Sequence, residues 1–282
     1  MNANMKIASN IFVVLLFAVG LASANEHLRL ADSCYAARAL NASGIKANPK
    51  NAEIMKDAYK KAMEDPSVLE KATEGYVKSL YFCFRFVNFD KKLRESKLDS
   101  LKAISESAYN KFPKNKEIAH VYASALSIWG NERGALTSVK EGVATKVRDV
   151  ATAAEDWQVL GRAHTVLPYV PVILTWPDSK LADKYLNLAL EKNRKDVYNY
   201  YYLADFYNRQ KRYDDAVELI VQGMDLSIRP GFVFEDKRGR WHLQELCKTI
   251  YSKQKKKLSP KHLEDCEKIQ KSIEAKQTTN KN

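Results

Sequence analysis

Residues Trp157 to Leu226 read WQVLGRAHTVLPYVPVILTWPDSKLADKYLNLALEKNRKDVYNYYYLADFYNRQKRYDDAVELIVQGMDL, and this stretch decides the fold. It holds two helix pairs in tandem. The first runs through Trp157, Leu160, Gly161 and His164, leaves through a Pro-bounded insertion, and returns at Ala182, Leu186 and Ala189. The second repeats the order without the insertion, as Tyr200, Leu203, Ala204 and Tyr207, then Tyr213, Ala216, Ile220 and Gly223. Ala182 and Ala216 hold equivalent places 34 residues apart. A large aromatic at the fourth position of each unit fills the space between two antiparallel helices. Small residues at the eighth (Gly161, Ala204) and twentieth (Ala182, Ala216) let the backbones approach. Such a hairpin cannot bury its apolar face alone and must stack on neighbours.

The expectation is an all-α chain, an α-solenoid of degenerate helical hairpins, with its clearest repeats at 154–192 and 197–228. Ten Gly and eight Pro in 282 residues are few, and no strand-like alternation persists. Upstream, Ala123, Leu126 and Gly130 followed by Ala135 and Val139 read as a weaker third repeat, with extra chain at Thr145 to Glu155.

Working outward to the N terminus, Met1 to Ala24 reads as an export signal. Lys6 supplies the positive region, Ile11 to Leu21 an 11-residue apolar run, and Ala22-Ser23-Ala24 a small-residue cleavage site. That run is shorter than the roughly 20 residues a spanning helix needs. No Cys follows the cleavage site, so lipid attachment there is not indicated. The mature chain is expected to start near Asn25, in a periplasmic or secreted location. Residues 25–276 are expected to form a single helical-repeat domain, and 277–282 a disordered tail.

Several helices are expected ahead of the repeats: about Glu26 to Leu40, Asn51 to Met63, Pro66 to Val87 and Lys97 to Lys111, with a charged hinge at Asn88 to Arg94. The third of these ends in Tyr81-Phe82-Cys83-Phe84-Arg85-Phe86, a density that suggests burial on both faces, with an exposed aromatic ligand site as the competing reading. After the repeats, helices are expected from about Lys237 to Tyr251 and from Ser259-Pro260 to about Ala275. They would serve as the terminal caps a solenoid requires.

The formal charge is +12, and the excess is concentrated at the C terminus, where Lys248 to Asn282 holds ten Lys against four acids. Peripheral contact with an anionic envelope surface is one reading of this tail, and a solvated helix face is the other. Nucleic acid is not an expected partner of an exported chain. The four cysteines, Cys34, Cys83, Cys247 and Cys266, show no CxxC and no metal-ligand spacing with His. Two local bridges and four buried thiols both fit.

No catalytic motif is present. The five His, at positions 27, 120, 164, 242 and 262, lie in no HExxH, and there is neither a GxSxG nor a Gly-rich phosphate loop. His164 reads as a packed interhelix residue. Asp214-Asp215 and Glu235-Asp236 read as helix caps and not as an acid/base couple. No enzymatic activity, cofactor or metal is expected. Binding is expected instead on the first helix of each repeat, at positions facing the concave side. These are Tyr198, Tyr201 and Asp205 in the second unit, Gln158 and Arg162 in the first, and His120 and Ser124 in the degenerate one. The insertion Leu167 to Pro177, apolar and stiffened by three prolines, adds Tyr169 and Trp176, which either pack on the scaffold or face a ligand.

The run Asp156 to Arg162, then Leu167-Pro168, Lys180 to Leu190, Tyr200 to Tyr207 and Asp215-Ala216, resembles exported tetratricopeptide-repeat-like proteins. These include the T-components of TRAP transporters and bacterial relatives of regulator of microtubule dynamics proteins. His120, Tyr122, Ala123 and Trp129-Gly130 extend the likeness, which spans roughly Leu69 to Tyr251 and is specific from His120 to Ala216. It implies a helical fold around a groove or pore, and partnership with a periplasmic subunit or passage of an apolar ligand. The expected function is therefore a non-enzymatic binding or scaffold module for a periplasmic or envelope protein. A carrier of a hydrophobic solute is the alternative, and self-association is a further option.

Overall fold

The computed structural model describes residues 26–87 and 90–279, with side chains through Lys271. The expected leader, residues 1–24, and the last residues, 280–282, lie outside the described residues. Among the described residues there are thirteen helices and no strand, so the chain is all-α as its periodicity predicts. The helices are α1 (26–36), α2 (Pro49–Ala62), α3 (Leu69–Phe86), α4 (Lys91–Lys111), α5 (Lys116–Arg133), α6 (Ala135–Lys140), α7 (Val143–Ala153), α8 (Trp157–Val166), α9 (Ser179–Lys192), α10 (Val197–Arg209), α11 (Tyr213–Asp225), α12 (Val233–Gln254) and α13 (Pro260–Thr279).

Acidic and amide N-caps start many of them. Asn48, Asp90, Asp156, Asp178 and Asp196 each accept a hydrogen bond from a backbone N–H in the first turn of the helix that follows. The cap at Asp90 explains why α4 begins inside the stretch expected to be a hinge. The excess chain before the first clear repeat is itself helical. In α7, Val143, Val147, Val150 and Ala151 fall on one helical face and are buried.

The chain divides into two compact units, one up to Glu132 and one from Arg133 onward. In the first, α3 packs on α2 and α4. Phe82, Phe84 and Phe86 are buried, with Tyr35 of α1 against Phe82 at a centroid distance of 6.5 Å. Tyr122 of α5 stacks on Tyr109 of α4 at 5.6 Å, and the Trp129 indole N–H donates to Asp99 at 2.8 Å. Ala123, Leu126 and Gly130 are buried as the repeat pattern predicts. The expected second helix of that hairpin is only the six-residue α6, which belongs to the second unit and leaves Leu136 and Val139 exposed.

The second unit contains the two clear repeats as antiparallel hairpins, α8 with α9 and α10 with α11, and α12 lies against α10 and α11. The small positions do what the sequence requires. A Cβ on Gly161 would sit 2.6 Å from Leu186 Cγ and 2.9 Å from the Leu186 backbone N, so only glycine admits this approach of α9. Gly223 similarly faces Tyr200 Cβ at 2.9 Å and Leu243 Cδ1 at 2.7 Å. Leu186, Leu203, Ile220, Leu243 and Ile250 are sealed in the common core, each contributing about 1.5–3 kcal/mol by burial. The last helix runs to Thr279, beyond its expected end near Ala275.

Candidate functional site

α8 and α10 are adjacent helices of successive hairpins, and five of the residues the repeat pattern selects lie on them, Gln158, Arg162, Tyr198, Tyr201 and Asp205. Arg162 of α8 donates to Asp205 of α10, and Arg209, one turn on, reaches the same carboxylate oxygen at 2.9 Å. The Arg162 guanidinium also lies over the rings of Tyr201 and Tyr202, 5.8 and 5.1 Å from their centroids. Tyr198 contacts Tyr201 at 6.3 Å and Tyr202 at 5.5 Å. Burial holds the Tyr201 phenol above the usual tyrosine range despite the neighbouring Arg162, so it stays a neutral hydrogen-bonding group.

Two residues outside the repeats complete this face. His242 of α12 stacks on Tyr201 at 4.8 Å and contacts Tyr198 at 5.9 Å, and Trp241 beside it is about half exposed. The repeat pattern stops at α11, so it does not reach them. The pair Trp241-His242, an aromatic dipeptide in a helix with polar neighbours, is the signal that marks them in the sequence. The result is a cluster of three tyrosines, an imidazole and an indole beside two guanidiniums sharing one carboxylate, in which Tyr198 and Asp205 are buried and Arg162, Tyr201, Tyr202, Arg209, Trp241 and His242 reach solvent. Its local charge is +1 with His242 neutral. Such a surface suits stacking and hydrogen bonding to a partly anionic, partly apolar ligand.

Gln158, one turn before Arg162, also joins α8 to α10 but apart from the aromatic cluster, and the remaining sequence-selected residues lie elsewhere. Gln158 donates to Asn199 Oδ1 at 2.7 Å, and buried Asn199 in turn donates to the carbonyls of Ala189 and Asn193 at 3.0 Å each. Gln158 thus helps fix α8 to the α9–α10 turn. Trp176 packs edge-on against His164 at 4.9 Å, with Arg148 5.7 Å from its ring. The His164 ring also accepts the Asp178 N–H on Nδ1 at 3.0 Å, and so is a packed interhelix residue. At the other end of the insertion, Tyr169 and Ile173 are 62% exposed and Val172 96%. Val172 has a φ of +70°, a strained setting for a β-branched residue. The insertion therefore packs at Trp176 and is presented to solvent at its tip.

His120 and Ser124 belong to the first unit, where they lie by Tyr81 of α3. Burial pushes the Tyr81 phenol up. The Arg85 guanidinium, His120 and hydrogen bonds from Arg85 and Ser124 outweigh it and hold the phenol below the usual range. Arg85 donates to the Tyr81 oxygen at 2.8 Å. On the far side of α3, a cleft of about 360 Å³ is lined by Lys56, Tyr76, Leu80, Cys83, Phe84 and Leu101, among others.

The acidic pairs have structural partners. Asp236, fully buried, accepts the Arg229 guanidinium at 2.6 Å and the Arg229 N–H at 2.8 Å. Asp214 accepts the Ser259 N–H at 3.0 Å, and Asp215 pairs with Arg212 at 2.7 Å. Lys255 to Lys257 form an exposed turn between α12 and α13. Among the described residues no group of His, Cys, Asp and Glu could hold a metal, and no helix is long and apolar enough to cross a membrane. No known protein-family profile matches the chain, and no curated protein sequence matches it.

Proposed function

We propose that the chain is an exported, tetratricopeptide-like solenoid that binds a segment of a periplasmic or envelope partner protein and catalyses no reaction. One observation carries this reading: Arg162 and Tyr201, chosen by repeat position alone and held by the buried Tyr198 and Asp205, share one solvent-reaching cluster with Trp241 and His242. Rigid aromatic rings on helices offer large contact area at little cost in side-chain entropy, which is the usual composition of a polypeptide-binding patch. The hairpin pairing of α8 with α9 and α10 with α11 supports the repeat reading. The decisive experiment places a photo-crosslinking residue at the half-exposed Trp241 position in the producing cell. One cross-linked polypeptide, lost on Arg162→Ala and Tyr201→Ala and not captured by a crosslinker at exposed Leu136 of α6, is the expected result. The same polypeptides captured in every variant would remove this face from the proposal.

A second reading, a carrier of a hydrophobic solute of the T-component kind, draws on the solvent-presented tip at Tyr169, Val172 and Ile173. Exposed apolar groups on a proline-stiffened loop gain most by covering an apolar ligand. Native mass spectrometry of protein from its own compartment would show a bound small molecule. A Val172→Asp, Ile173→Asp variant that keeps that molecule would exclude the loop.

A further inference from the structure

Cys247 of α12 and Cys266 of α13 point at each other with their sulfurs 2.7 Å apart, and neither residue has exposed surface. Their juxtaposition is set by contacts that do not involve sulfur. At the start of α13 the Ser259 N–H is held by Asp214, and Lys261 and His262 reach Glu218 of α11 at 2.9 and 3.3 Å. Further along, Tyr251 of α12 donates to Glu267 at 3.2 Å. These bonds fix the register that brings Cys266 to Cys247, and Leu258 and Ile269 pack on the same core on either side of it. The neighbourhood holds no metal-binding group among the described residues, so the two sulfurs have each other as reaction partners.

We propose that Cys247 and Cys266 form an intrachain disulfide that staples the last helix to the body of the second unit. The oxidant is a disulfide-bearing exchange partner, either a protein or a small oxidised thiol. The Cys266 thiolate attacks one sulfur of that disulfide and expels the other as a thiolate. Cys247 then yields its proton to a departing thiolate and attacks Cys266 Sγ in the mixed disulfide, releasing the second thiol. One S–S bond forms as one breaks, and two electrons pass from the cysteine pair to the exchange partner. Because both sulfurs are sealed in the folded chain, exchange takes place while α13 is still undocked.

The pairing is selective. Cys83 faces the cleft between α2, α3 and α4, where burial pushes its thiol up to about 11, and Cys34 lies half-buried in α1. The full chain, refolded in a buffer of reduced and oxidised glutathione, is to be denatured with a maleimide and no reductant, then weighed and mapped. The expected result is two labels, on Cys34 and Cys83, and one linked peptide pair containing Cys247 and Cys266 that separates on reduction. Cys266→Ser should then take three labels, on Cys34, Cys83 and Cys247. Four labels on the wild-type chain, or a link joining any other pair, overturns the proposal. The readout is independent of partner binding, so it stands or falls apart from the proposed function.

Discussion

Arg162 and Asp205 form an ion pair between the first helices of two successive hairpins, and Arg209 shares the same carboxylate oxygen at 2.9 Å. The Asp205 side chain is 12% exposed, Arg162 26% and Arg209 48%. A carboxylate so nearly buried is held by its two cations, whereas the outer arginine keeps most of its hydration. Asp205→Asn is therefore expected to destabilise the second unit by about 1–3 kcal/mol, by leaving Arg162 without its counter-charge. Arg209→Gln should cost no more than about 0.5 kcal/mol. Urea denaturation of both variants checks this, and equal losses would show that the pair is not the inner contact it forms here.

Gly161 permits the closest helix approach in the first clear repeat. Its missing Cβ would lie 2.6 Å from Leu186 Cγ and 2.9 Å from a backbone nitrogen that cannot step aside. In an ordinary helix interior Gly→Ala stabilises by up to about 1 kcal/mol. Here the sign should invert, with Gly161→Ala costing about 1–3 kcal/mol through overpacking. Gly231→Ala, where a Cβ meets nothing within 4 Å, is the control, expected within about 0.5 kcal/mol of wild type. A Gly161→Ala chain as stable as wild type would contradict the repeat packing.

His164 gives the second unit a pH dependence. Burial is the main force lowering its pKa, Arg148 adds to it, and Asp178 opposes it. The folded ring therefore stays neutral where an unfolded histidine, with a pKa near 6.5, takes a proton. The contribution to stability is complete above that unfolded value. It declines as pH falls from about 6.5 toward the depressed folded value. His164→Gln should flatten this slope below about pH 6.5 in thermal melts. A slope unchanged in the variant would assign it to another group.

How far the sequence could be read follows the period of its packing. Where two hairpins stand in tandem, the aromatic and small positions mark the helix packing. Trp157, Gly161, Ala182, Ala204 and Ala216 thus mark the hairpins, and counting from them selects Arg162, Tyr198, Tyr201 and Asp205, which contact one another in the structure. Gln158 sat at an equivalent position, yet its amide is tied to Asn199, because repeat position fixes the direction of a side chain but not its hydrogen-bond partner. Trp241 and His242 were beyond the count, since α12 meets α10 through tertiary packing that no period encodes. The Asn88 to Arg94 stretch read as a hinge from its charges, but capping by Asp90 turns its second half into helix. The cysteines could be placed only on helices, because pairing depends on the register of α13 against α12, and that register is set by Asp214 and Glu218 of α11.

Glu218 makes that register sensitive to acid. Hydrogen bonds from Lys261 first, then Gln222 and His262, hold its carboxyl at about 2. A depressed carboxylate adds stability that is present in full above its unfolded pKa, near 4.5, and is lost as pH falls through the folded value. The attachment of α13 to α11 should therefore weaken between about pH 4.5 and 2, while the packing of α10 on α11 does not depend on this group. Hydrogen exchange resolves the two helices. Amides of α13 are expected to gain exchange over that window faster than those of α10, and Glu218→Gln should show the faster α13 exchange at neutral pH with no further acid dependence from this source. If α13 and α10 loosen together in the wild-type chain, the Lys261 and His262 contacts do not govern the docking of the last helix.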